Sequence, residues 1–131
     1  MKKMVAALFM LLMMSSVCMA KENLHFVDAN GMTGYYVDVS SLAFEGNSVV
    51  NARIAVKKAA INQMFLYTVQ FDAGNRTYCI LESEVLQYDT KKVLKSASGA
   101  EKTRSYGDRS PMSSIVSYIY DWKNGKIKRT D

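Results

Sequence analysis

The sequence predicts an α+β fold: a small antiparallel β-sheet of about five to six strands with a C-terminal α-helix packed on one face. Three observations lead there. The middle of the chain alternates apolar and polar residues with period two. Clusters of turn-forming residues separate the alternating runs. The last third switches to apolar residues at three- and four-residue spacing.

Leu24–Asp28 and Gly34–Val39 read as a first hairpin joined through Asn30-Gly31, because Asn and Gly tolerate the positive φ a tight turn requires. Val50, Ala52, Ile54 and Val56 then alternate with Asn51, Arg53, Ala55 and Lys57, so one set shares a strand face. Phe65, Tyr67, Val69 and Phe71 repeat the pattern, with Met64, Leu66, Thr68 and Gln70 on the other side. These runs are rich in the β-branched and aromatic residues that suit a pleated surface. Asp72-Ala73-Gly74-Asn75 has turn chemistry. A strand over Arg76–Leu81 follows and continues irregularly through Tyr88. Asp89-Thr90-Lys91-Lys92 turns the chain again, into a short strand at Val93–Ala97.

Ser110-Pro111 starts the helix. Serine can cap the free amides, and proline at the first position loses no hydrogen bond there. Met112, Ile115, Val116, Ile119 and Trp122 form one apolar stripe, and Asn124-Gly125 ends it. A helix with one such stripe packs on one face of the sheet.

The leader sets the domain organisation. Lys2 and Lys3 precede an apolar run from Met4 to Val17, and Cys18-Met19-Ala20 places small residues at −3 and −1 before Lys21. This layout predicts a signal peptide over residues 1–20 and one exported domain over residues 21–131. The run is short for a spanning helix. Lipidation at Cys18 is the alternative, and Val17 before it is a poor fit to that processing. The expected location is the periplasm, the outer envelope or the cell surface of a bacterium. The full chain carries a net charge of +5. Residues 21–90 hold 5 basic and 8 acidic side chains, whereas residues 91–131 hold 10 basic and 4 acidic. The basic third can steer acidic partners or simply be solvated.

Catalytic chemistry is sparse. His25 is the single histidine, and a lone histidine on a strand is usually structural. No Cys/His cluster has zinc spacing, no glycine-rich phosphate loop occurs, and no Gly-x-Ser-x-Gly elbow supports a serine nucleophile. We therefore expect no catalytic residues, metal or cofactor. Glu82 and Glu84 fall on one face of a regular strand. Paired carboxylates can do acid–base work, but an exposed charged face accounts for them more simply. Asn75-Arg76-Thr77 matches a glycosylation sequon and is read as chance beside a bacterial leader. Once the leader is removed Cys79 has no intramolecular partner. It is expected to be a small buried hydrophobe, with intermolecular pairing as the sharper alternative. The 8 tyrosines suit either a binding surface or the rim of a small sheet.

Gly34-Tyr35-Tyr36-Val37-Asp38, then Ser40-Ser41-Leu42 and Gly46-Asn47-Ser48-Val49-Val50, resembles the opening of the surface-adhesin protein E family. Cys79 followed by Tyr88-Asp89 and Lys92-Val93-Leu94 is similar too, as is Tyr106 followed by Arg109-Ser110-Pro111 and the last helix. The resemblance covers most of residues 24–122 through short, degenerate motifs. It implies a small antiparallel sheet with a C-terminal helix, export to the envelope or surface, and adhesion to host proteins in some members. Members often pair the central cysteine with one in the last helix. This chain has Tyr118 and Tyr120 there, so the resemblance implies no staple.

The functional expectation is an exported, non-enzymatic cell-envelope or surface binding protein, with adhesion as one form of that role. The alternative is a periplasmic small-molecule-binding or inhibitor protein that uses one face of the sheet. Expected partners are a host or envelope protein or an anionic glycan, with homodimerisation open. Nucleic acid is not expected for an exported chain without a binding motif. Membrane contact is expected only through the leader or a lipid anchor. The candidate partner-binding residues are Lys123, Lys126, Lys128 and Arg129, after the helix. Lys91, Lys92, Lys95, Lys102, Arg104 and Arg109 precede it, and the two groups would make one patch if the fold brought them together.

Overall fold

A computed structural model describes residues 23–127. The expected leader over residues 1–20, Lys128 and Arg129 lie outside the described residues. The fold is the α+β arrangement that the periodicity predicts. Six strands form an antiparallel meander in sequential order: β1 (Leu24–Asn30), β2 (Thr33–Glu45), β3 (Val49–Lys58), β4 (Gln63–Asp72), β5 (Thr77–Gln87) and β6 (Val93–Ser98). A two-residue strand β7 (Arg104–Ser105), which the periodicity does not announce, pairs with Thr77 and Tyr78 of β5. Helix α1 spans Pro111–Lys123.

The helix boundaries follow the local chemistry. Ser110 Oγ accepts from the Ser113 N–H at 3.2 Å, and Pro111 occupies the first helical turn. At the other end Gly125 adopts φ +73°, and the Lys126 N–H reaches back to the Asp121 carbonyl at 2.8 Å. The stripe then buries Ile115, Val116 and Ile119 against Val37, Val50, Ile54, Val69 and Phe71.

Both faces of the sheet bury apolar groups. Val50, Ala52, Ile54 and Val56 are buried on the helix side as the alternation predicts. The β4 set is split. Val69 and Phe71 are buried with the helix, but Phe65 and Tyr67 are only partly covered, because α1 rests on β1 and β2. Met64 and Leu66, on the opposite face, are buried instead, together with Ala55 and Leu86. Leu24, Tyr36 and Tyr88 close over them.

The strands are irregular where the pattern slips. Leu81 is an extra residue in β5, between Ile80 opposite Val69 and Glu82 opposite Thr68. It accounts for the irregular run toward Tyr88. The largest disturbance is in β2, where Asp38 faces Arg53 but Ala43 faces Asn51. Asp38 fastens it. Its Oδ1 accepts from the Asn23 N–H at 3.1 Å, the Ser40 N–H at 3.0 Å and Ser40 Oγ at 2.5 Å. Ser41 Oγ donates to the Asp38 carbonyl at 2.6 Å and accepts from the Arg53 N–H at 2.8 Å.

A meander gathers alternate turns at opposite ends. Thr33, Lys58, Gln63 and Gln87 lie in one row across β2–β5. The β1–β2, β3–β4 and β5–β6 turns therefore share one end, here termed the near end. The β2–β3 and β4–β5 turns share the far end. At the near end Asn62, at φ +54°, ties two turns together: its Nδ2 donates to Asp89 Oδ1 and its Oδ1 accepts from the Asp89 N–H, both at 3.1 Å.

Candidate functional site

The face away from α1 carries a concavity. A recess of about 480 Å³ is lined by Arg53, Leu66, Thr68, Glu82, Glu84 and Ser98, with Ser83, Ser96 and Ala97 completing it. Strand register assembles it. Arg53 of β3 stands beside Thr68 of β4, which faces Glu82 of β5, which faces Ser98 of β6. One row along, Leu66 faces Glu84, and Glu84 faces Ser96. Arg53 Nη2 donates to Glu84 Oε1 at 3.2 Å, spanning β4. Both side chains are about a third exposed, so the pair adds little stability, ~0–1 kcal/mol. Glu82 is exposed on the same wall. The recess thus offers two carboxylates, one guanidinium and several hydroxyls on a small apolar floor. Such walls hydrogen-bond and pair with a polar partner.

Glu82 and Glu84 do share a face, as their spacing predicts, and Arg53 joins them. Arg53 went unrecognised because its contact lies 31 residues away and depends on register across three strands. Its one sequence signal is its place in the polar half of the β3 alternation.

His25 clamps the helix to β1. Its Nδ1 meets Tyr118 Oη at 2.7 Å and its Nε2 meets Asn23 Oδ1 at 3.2 Å. The ring also stands edge-on to Trp122, with centroids 4.9 Å apart. The neutral ring satisfies both bonds when Nε2 carries the hydrogen and Nδ1 accepts from the phenol.

Cys79 departs from the buried position expected for it. It is half-buried, on the face opposite the helix, with its Sγ 3.1 Å from the Glu101 carbonyl. Alternation places Tyr78 and Ile80 under the helix-side core and so turns Cys79 outward.

The tyrosines divide by face. Tyr35, Tyr67, Tyr78, Tyr106, Tyr118 and Tyr120 pack around the helix-side core, and Tyr36 and Tyr88 sit on the open face. Burial pushes the phenols of Tyr67, Tyr106, Tyr118 and Tyr120 above their usual pKa, and the nearby Glu101 carboxylate adds to the effect at Tyr67. Six of the eight are therefore framework. Tyr36 makes an edge contact with Phe26 at 5.5 Å and carries Lys57 Nζ over its ring at 4.2 Å.

Among the described residues, the basic side chains before and after the helix do not form one patch. Lys123 Nζ lies 4.6 Å over the Phe44 ring, and Phe44 belongs to the far end of β2. Lys126 is exposed just beyond. Lys91, Lys92 and Lys95 lie at the β5–β6 turn and on β6, at the other end and the other edge of the sheet. Arg104 is on β7 beside Tyr78. Four strand spacings separate β2 from β6, roughly 19 Å.

Fold and surface together define a small sheet-and-helix domain with an open, charged sheet face. Comparison with protein-family models, with curated proteins and with solved structures finds no significant match.

Proposed function

We propose that this chain is an exported, non-enzymatic binding module of the bacterial envelope or surface, which engages a protein partner through the open face of its sheet. The carrying observation is the recess on that face, lined by Arg53, Glu82 and Glu84, with the Phe26–Tyr36 aromatic pair farther along the same face on β1 and β2. Protein interfaces favour aromatic and arginine contacts with a polar rim. The Arg53–Glu84 pair contributes so little to stability that a binding role explains its presence better. The leader-like segment and the resemblance to the surface-adhesin protein E family support export and, in one form of the role, adhesion to host proteins.

Intact cells producing the chain are treated with a membrane-impermeant amine reagent. Labelling is the result expected of an adhesin, and a fully protected, periplasmic chain rules the adhesive form out. Attachment of the same cells to immobilised host matrix proteins is then compared with that of Arg53→Ser/Glu82→Ser cells. Loss of attachment in the variant supports the open face as the contact, and equal attachment removes it.

The second reading is a small-ligand or inhibitor protein using the same face. The recess volume favours it, since it lies within the usual range for ligand sites. The lining counts against it, because such sites are mostly apolar and this one is charged and hydroxylic.

A further inference from the structure

We infer that the near end of the sheet is a docking surface for an anionic lipid bilayer. Three separate turns converge there, and each brings an exposed apolar side chain: Met32 (73 % exposed) in the β1–β2 turn, Ile61 (57 %) in the β3–β4 turn, and Val93 (50 %) and Leu94 (48 %) just after the β5–β6 turn. Four of the five large exposed hydrophobic residues described are thus gathered at one end of the molecule. They are scattered in sequence, and only the meander brings them together. The neighbouring tips stand about two strand spacings apart, roughly 10 Å.

Basic groups stand behind Met32 and Ile61 and flank Val93. Lys58 pairs with Thr33 in the last row, Lys57 stands one row back, and Lys91 and Lys92 lie in the β5–β6 turn. The carboxylate at this end is Asp89, whose Oδ1 is already bound by Asn62 Nδ2 and the Thr90 N–H. Further back, Asp28 is bound by Ser114 Oγ and the Ala29 N–H. The end therefore presents Met32 and Ile61 ahead of a net positive band, with Val93 and Leu94 set among its lysines.

That order suits a bilayer. Met32 and Ile61 enter the headgroup–acyl boundary while the lysines behind and between the apolar side chains meet anionic headgroups. Separate projecting tips insert one by one, whereas a protein partner is better matched by a contiguous patch. The segment preceding the sheet is a poorer occupant, since β1 begins at Leu24, paired with Asp38 several rows away. The surface is distinct from the recess, so the two proposals stand or fall separately.

The test uses protein produced from the full chain and purified as the cell delivers it. It is sedimented with vesicles of phosphatidylcholine alone and of phosphatidylcholine mixed with phosphatidylglycerol. Binding to the anionic vesicles, weakened by salt, is expected. Lys91→Ser/Lys92→Ser should weaken it roughly twenty-five-fold, at about fivefold per lysine. Met32→Ser/Ile61→Ser should weaken it roughly tenfold. Lys123→Ser/Lys126→Ser, which removes the same charge at the far end, should leave it within about twofold. All these residues are exposed, so the variants keep the fold, as circular dichroism will show. An Ile61→Trp variant should add blue-shifted emission on anionic vesicles beyond that of Trp122. No binding, equal binding by the near-end variants, an equal loss in the far-end double variant, or no added blue shift from Ile61→Trp overturns the inference.

Discussion

Asp38 is the buried charged residue among those described, at 5 % exposure, and its donors are Ser40 within the β2 disturbance and the Asn23 N–H just before β1. Removing its carboxylate leaves two backbone amides without an acceptor inside the protein. Asp38→Ala should therefore cost about 2–4 kcal/mol in urea unfolding, against less than about 1 kcal/mol for Arg53→Ala. Two tyrosines on one helix make a sharper pair. Tyr118 Oη bonds His25, whereas Tyr120 Oη is buried with no hydrogen-bond partner among the described residues. Tyr118→Phe should cost roughly 0.5–1.5 kcal/mol, and Tyr120→Phe should be neutral or stabilising. Asp72 holds the β4–β5 turn through the Asn75 N–H at 3.1 Å and Asn75 Nδ2 at 2.8 Å, and these bonds hold its carboxyl below the usual carboxylate range. A depressed folded pKa contributes stability that is complete above the unfolded value and is lost as pH falls through the folded one. Protection of the turn amides against hydrogen exchange should hold at neutral pH and decline below about pH 4. Asp72→Asn should remove that decline.

At the scale of elements, the helix-to-sheet contact is the main fastening, because no disulfide links the described residues. Ile119 is completely buried at its centre. Ile119→Ala should cost about 2–5 kcal/mol, read from the shift in urea midpoint at unchanged slope. A loss below about 0.5 kcal/mol would mean that α1 does not pack as described. The elements were legible because their signals are local. The Ser110 cap, Pro111, the stripe through Ile119 and the Gly125 stop all act within one or two turns of backbone. The bulges were less legible. Leu81 shows in sequence only as a broken alternation, and the β2 disturbance shows as an Asp-x-Ser-Ser run whose meaning depends on Asn23 and Arg53 reaching it. Strand β7 is two residues long and is held by pairing with β5, which no period can announce.

At the scale of the whole molecule, Lys123 and Lys126 lie at the opposite corner from Lys91, Lys92 and Lys95, farther apart than the ~8–10 Å over which salt lets charges add. On a heparin column, Lys123→Ser/Lys126→Ser and Lys91→Ser/Lys92→Ser/Lys95→Ser should each lower the eluting salt, and the combined variant should lower it by the sum. A combined shift clearly larger than the sum would mean that the clusters act as one patch. Charge of this kind acts mainly on encounter, so the same variants should slow association more than they speed release.

The order of the strands came from the tertiary structure, whereas the sequence by itself determined the class of fold, the helix and both of its ends, and the helix-facing apolar set of β3. Each is a local or periodic property, fixed by backbone preference and by which side chains water excludes. It also placed Glu82 and Glu84 on one face, because two residues are one strand period. Only the tertiary structure decided which tyrosines are framework, that Cys79 turns outward, that Arg53 meets Glu84, and that Met32, Ile61, Val93 and Leu94 share one end with a band of lysines. Those outcomes depend on register and on where the helix lies, and both are set by contacts between residues distant in the chain. Periodicity says which side chains share a face of one strand. Packing decides which faces are covered, and that is where this chain keeps the surfaces it has left for partners.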